Sequence, residues 1–179
     1  MVLITHIVSN IILIYLGLVV FLHSKKNATN IIFSLIAFLN VLWSTANYFS
    51  VISTSGEQIL FWVRIEIFFV IPYAILFSIF MHTFPHDRLL LSKKSFVLIS
   101  ACTIFMMFLS LTSYIFEKIT VFNNIPIPKP GKLIVFLFAT LSGAVFYGIF
   151  LGVKKYLKAD VLYKNLWKYI IFSASISYC

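Results

Sequence analysis

Acidic residues are scarce in this 179-residue sequence: five Asp and Glu stand against 14 Lys and Arg, and charged residues together make up only 11%. A soluble domain carries about 25% charged and about 45–50% apolar residues. A chain that is 61% hydrophobic, with a mean hydropathy of +1.04, therefore lacks the polar surface to live in water. Cysteine is nearly missing too. Cys102 falls inside an apolar stretch and Cys179 is the last residue, which excludes a secreted disulfide framework and a cysteine metal site. His6, His23, His82 and His86 are scattered, and the last two straddle Pro85, so neither a metal nor a cofactor is expected. There is no Gly-rich phosphate loop, His-Glu-x-x-His helix, nucleophile elbow or kinase signature, and these residues are not expected to form an enzyme. No lysine lies at mid-span to hold a chromophore, and Glu66 alone is too little for a proton relay. No internal repeat suggests an inverted-repeat transporter.

What the sequence has in quantity is long apolar runs. A hydrocarbon core about 30 Å thick needs roughly 20 residues of helix. Residues 3–22, 31–53, 59–84, 95–116 and 133–153 meet that length, and a sixth run, 169–179, reaches the last residue about half-way across. The expected fold class is all-α: a polytopic transmembrane helix bundle of five full spans and a partial sixth, forming one membrane module that is incomplete at its C-terminal end. The first run has no basic region before it and no small-residue cleavage site after it, so it reads as an N-out anchor rather than a signal peptide.

The basic residues sort by loop. Lys25 and Lys26 follow the first span; Arg88, Lys93 and Lys94 follow the third; Lys154, Lys155, Lys158, Lys164 and Lys168 follow the fifth. The opposite side holds Lys118, Lys129 and Lys132, with Arg64 inside the third span. The positive-inside rule then puts the N-terminus outside and the basic loops in the cytoplasm of a multi-pass cell-membrane protein. The net charge of +9 is thus a topology signal and a contact for anionic lipid, not for nucleic acid, since no aromatics interleave with the lysines as in an RNA-binding surface. Asn27-Ala28-Thr29 matches a glycosylation acceptor but falls on the cytoplasmic side.

Within lipid, polar side chains seek partners inside the bundle. Asn40, Ser44, Asn47 and Ser50 recur at helical spacing in the second span, with Trp43 beside them at a depth where its indole N–H needs an internal partner. Interhelical hydrogen bonding and the lining of a ligand pocket are both open readings of this face. Arg64 and Glu66 are two residues apart and cannot face each other on a helix, so each needs a partner elsewhere; Arg64 is near enough to the span's start to reach outward beside Trp62. Pro72, at mid-span, removes a backbone bond to Phe68 and is a candidate hinge. Thr140, Ala144, Gly148 and Gly152 form a strip of small residues, which suits packing within the bundle or a homodimer through membrane helices. The alternating prolines of the segment 125–131 predict an extended, polyproline-like cap over one mouth of the bundle.

Several short motifs resemble the N-terminal seven-helix membrane region of histidine kinases and related signalling proteins. They are Lys25, Lys26 and Asn30 after the first span; Leu42-Trp43 and Asn47-Tyr48 in the second; and Phe61-Trp62-x-Arg64 with Ile71-Pro72 in the third. Phe77 and Phe80 before Phe84-Pro85, and Lys154-Lys155-Tyr156 with Leu166 to Ile170, complete the set. The resemblance covers nearly the whole chain and implies a seventh helix after the sixth, since an odd number of crossings brings an output domain to the cytoplasm. The expected function is a sensory input module of a two-component system. It would detect a small molecule or a change in the membrane through the faces around Asn40, Trp43, Asn47, Arg64 and Glu66, and pass the signal by helix rearrangement to an output beyond residue 179. A fragment of a small-molecule transporter and a structural membrane subunit are the alternatives.

Overall fold

A computed structural model of the chain describes residues 2–122, 125–158 and 164. Its elements in chain order are α1 (Val2–His23), α2 (Ala28–Ile52), α3 (Gly56–Thr83), α4 (Lys93–Ser110), β1 (Phe116–Phe122), β2 (Ile125–Pro130) and α5 (Ile134–Lys158). All five helices are long and apolar enough to cross a membrane. The helical membrane bundle expected from composition is therefore observed. The sixth run, 169–179, lies outside the described residues.

Capping explains why three of the helices start before their apolar runs. Asn27 accepts from the backbone of Asn30, Ser55 from Gln58 and Ser92 from Ser95, so polar first turns belong to helices that hydropathy alone trims. At its other end α5 continues through Lys155 and Lys158, where basic side chains suit a helix C-terminus.

The helices meet around α3, on which α2, α4, α5 and β1 all pack, while α1 packs on α2. Ile71, Ala74, Phe77 and Met81 of α3 are buried against Leu137, Leu141 and Val145 of α5, Met106 of α4, and Ile115 and Phe116 at the start of the hairpin. Between helices in lipid this contact acts through dispersion and close fit, because the tails outside are as apolar as the core. The α1–α2 crossing shows that fit: a Cβ on Gly17 would stand 3.2 Å from the Cβ of Ala37, and Ser34 Oγ donates to the Gly17 carbonyl at 2.8 Å.

Two local expectations are corrected. The fourth helix ends at Ser110, not at 116, because Ser110 and Thr112 turn their hydroxyls back onto the carbonyls of Met107 and Leu109, both at 2.7 Å, and so compete for the last helical acceptors. The proline-rich segment is not an unpaired polyproline cap but strand β2, paired antiparallel with β1; Ile119 faces Pro128, Thr120 faces Ile127 and Val121 faces Pro126. Pro126, Pro128 and Pro130 occupy alternate positions, so their missing N–H groups all fall on one side of the strand. In a two-stranded sheet that side can be the free edge, which leaves Ile127 and Lys129 to donate to β1. Alternation by two fits an edge strand as well as it fits polyproline, and it also blunts that edge against further pairing.

Lys129 and Glu117 form an ion pair across the hairpin at 2.7 Å. The Lys129 ammonium, by its hydrogen bond first and its charge second, holds the Glu117 carboxyl below the usual carboxylate value. A lowered native pKa stabilises the folded hairpin above the unfolded carboxyl's pKa, and that contribution is lost as the pH falls through the native value. Protection of the amides of residues 116–130, measured relative to the intrinsic exchange rate at each pH, is therefore expected to fall on acidification below the ordinary carboxylate range. Lys129→Ala should weaken that pH dependence of protection; if protection in the variant kept the same pH profile, the ion pair would not be its source.

Candidate functional site

Both polar groupings of the bundle use α2 and lie toward the end that carries the hairpin. On one face, Trp43 and Asn47 stand four residues apart and so share a side of the helix. Trp43 Nε1 donates to Glu66 Oε1 of α3 at 3.2 Å, and Asn47 Nδ2 donates to the same oxygen at 3.0 Å. Phe49 stacks on Trp62 beside them, with ring centroids 4.7 Å apart and planes inclined by 20°. A carboxylate in a spanning helix is thus held by two donors from its neighbour.

Arg64 points elsewhere, because two residues along a helix turn the side chain by about 200°. Its guanidinium donates to the Phe116 carbonyl at 2.6 Å, fastening α3 to the first residue of the hairpin, while its Nε is enclosed without a partner among the described residues. Arg64 and Glu66 sit on the same stretch of α3 and serve different neighbours, one the hairpin and the other α2.

The second grouping joins α2 to α1. His6 stacks on Tyr48 with centroids 4.9 Å apart and an inclination of 14°. Its Nδ1 lies 3.2 Å from Ser44 Oγ and its Nε2 3.0 Å from Asn10 Nδ2, which also reaches Thr45 Oγ1 at 3.4 Å. With the Asn10 amide as donor, Nε2 accepts and Nδ1 carries the hydrogen that Ser44 accepts. Asn10 Oδ1 is enclosed with no partner among the described residues.

The four polar residues read from the sequence of α2 therefore divide. Asn47 meets Glu66, Ser44 meets His6, Ser50 bonds the Asn47 carbonyl of its own helix at 2.8 Å, and Asn40 is half-buried and, among the described residues, joins neither grouping. Sequence reasoning missed His6 and Asn10 as members. Their signal was the spacing of four in a largely apolar helix.

At the other end, α3 is tied to α2 and α5. Asn27 bonds the Asp87 side chain, the backbone N–H of Ala28 donates to the Asp87 carbonyl at 2.9 Å, and Thr29 donates to the His86 carbonyl at 2.7 Å. Lys155 Nζ donates to the carbonyls of His82 at 2.6 Å and Phe84 at 2.5 Å, where a cation complements the helix C-terminus. Between the two ends α3 runs unbroken through a half-buried Pro72. Of the small-residue strip, Gly148 lies where a Cβ would come within 3.0 Å of the Phe77 ring, and the Ala144 carbonyl accepts from Ser78. Gly152 is buried, and Thr140 bonds its own helix at Phe136, 2.8 Å away. Among the described residues, no three His, Cys, Asp or Glu side chains gather as metal ligands would.

This architecture defines a multi-pass helical membrane protein whose described polar groups join one helix to the next. Residues 5–178 match the family model described as the N-terminal 7TM region of histidine kinase, and the chain belongs to that family. It is thereby a membrane sensory input region, a part that is not itself catalytic. No curated protein and no solved structure matches the chain.

Proposed function

We propose that the polar face shared by α2 and α3 is the input of this sensory region and that α3 carries the signal to a cytoplasmic output beyond residue 179. The supporting observation is Glu66: an ionisable side chain within a spanning helix is costly in lipid, yet this one is held by Trp43 and Asn47. A small molecule or membrane change that competes for either donor loosens α2 from α3. Because α3 is also fastened to the hairpin through Arg64 and to α5 through Lys155, its shift reaches both ends. The mechanism is a population shift between two packings, with Pro72 as the hinge.

In this reading the N-terminus and the hairpin lie outside and the Lys155 end in the cytoplasm, which the positive-inside rule supports. In a background with Cys102 and Cys179 replaced by serine, Lys118→Cys is expected to react with a membrane-impermeant maleimide on intact cells. Arg88→Cys should react only after permeabilisation, and the reverse pattern would invert the proposed direction of signalling. In the full-length protein, joint replacement of Asn47, Arg64 and Glu66 by alanine is expected to abolish the stimulus response; an intact response would locate the input elsewhere.

A further inference from the structure

The joint between α1 and α2 is built around the imidazole of His6, whose two ring nitrogens are both engaged. Nδ1 donates to Ser44 of α2, while Nε2 accepts from the Asn10 amide of its own helix, which also reaches Thr45 of α2. The Tyr48 ring lies almost parallel to the imidazole. This arrangement needs a neutral ring, because Nε2 must keep its lone pair. Imidazole is also the side chain that ordinarily gains a proton between pH 5 and 8. His6 is half-buried and stands four residues into α1, about 6 Å from the helix start, within reach of the aqueous phase at the hairpin end.

A proton taken from water by Nε2 sets two donors against each other, the new N–H and the Asn10 NH2, across 3.0 Å. The remedy lies in the same side chain. Asn10 Oδ1 is enclosed and accepts no hydrogen bond from the described residues. A half-turn of the amide brings it to face both Nε2–H and the Thr45 hydroxyl, which donates as readily as it accepts. Nδ1–H keeps Ser44 as its acceptor, and the positive ring lies against the face of Tyr48. The half-turn also carries the NH2 group into the enclosed position, where its hydrogens need acceptors that Oδ1 did not. The charged form therefore cannot keep the neutral packing around Asn10, and α1 settles differently on α2.

The helix on which α1 packs, α2, contains no Asp, Glu, Lys or Arg, and Tyr48 is its one titratable side chain. On α1 itself Tyr15 and His23 lie about 13 Å and 25 Å further along.

We propose that this joint senses protons: uptake of a proton by His6 turns the Asn10 amide over and repacks α1 on α2, which makes the pH at the hairpin end an input to the region. The joint is distinct from the face around Glu66 and does not depend on its role.

The test uses the full-length protein in nanodiscs, with 15N-labelled histidine and amide hydrogen exchange followed from pH 8 to pH 5. The signal missing from His6→Phe identifies His6, and its Nε2 is expected to change from a bare nitrogen to an N–H as the pH falls. Over the same interval protection of the amides of residues 7–14, taken relative to the intrinsic exchange rate at each pH, should change about fivefold, the scale of one hydrogen bond. His6→Gln keeps a hydrogen-bonding side chain that does not titrate, and should hold this protection level. In Asn10→Leu the ring should still titrate while α1 no longer responds, which separates the amide from the charge. A His6 ring that stays unprotonated down to pH 5 would overturn the proposal. So would protection of α1 that is level in the native protein, that changes alike in His6→Gln, or that still responds in Asn10→Leu.

Discussion

Gly131→Ala unfastens the hairpin and is expected to cost about 3 kcal/mol or more, the upper range for overpacking. A Cβ at Gly131 would stand 2.3 Å from the Tyr114 carbonyl oxygen and 2.6 Å from that of Ser113, and both are backbone atoms with no rotamer to change. Relief requires the chain to move apart at the junction where Gly131 N–H donates to Ile115 at 2.8 Å and Leu133 N–H to Tyr114 at 2.9 Å. The adjoining Phe116 carbonyl is the acceptor for Arg64, so the α3 tether loosens with it. Hydrogen exchange reads this directly. Amides of residues 116–122 should lose protection in the variant while those of α1 keep theirs, and unchanged protection in the hairpin would show that the junction can yield at little cost.

Glu66 has the second large expected effect, and two substitutions separate its charge from its hydrogen bonds. Glutamine removes the charge and keeps an acceptor for Trp43 and Asn47, whereas alanine removes both. Interhelical bonds in membranes contribute about 0.6 kcal/mol each on average and up to about 1.7. Two bonds therefore make Glu66→Ala less stable than Glu66→Gln by about 1–2 kcal/mol. The charge itself acts in the other direction, because insertion penalises it, so Glu66→Gln should be no less stable than the native protein. Equilibrium unfolding in mixed micelles checks the order. Equal stability of the two variants would mean that the bonds to Trp43 and Asn47 contribute nothing.

Much of this was legible in the sequence because the bilayer enforces simple rules. Helices of fixed minimum length follow from the apolar runs, and a tryptophan at the depth of Trp43 announces that its N–H is paired. Spacing by two announces that Arg64 and Glu66 serve different neighbours, but not that these are Phe116 and Trp43, since partners on other helices depend on how the helices rotate. The hairpin was illegible for a different reason. Alternating prolines satisfy polyproline and an edge strand equally, and only the presence of β1 alongside decides. His6 and Asn10 escaped notice because a few polar residues in a largely apolar helix carry no meaning until Ser44, Thr45 and Tyr48 are set opposite them. The end of α4 was missed because Leu111 and the residues after it remain apolar enough to extend a span, while the hydroxyls of Ser110 and Thr112 end the helix.

The most direct test is the basal phosphorylation of the full-length protein, measured without stimulus in the native form, Glu66→Gln and Glu66→Ala. A population shift set by the bonds between α2 and α3 converts about 1 kcal/mol into roughly a fivefold change in the ratio of the two packings. Glu66→Ala should therefore move the basal level about fivefold, while Glu66→Gln stays near the native value. Identical phosphorylation in all three proteins would contradict the assignment of the Glu66 face as the input.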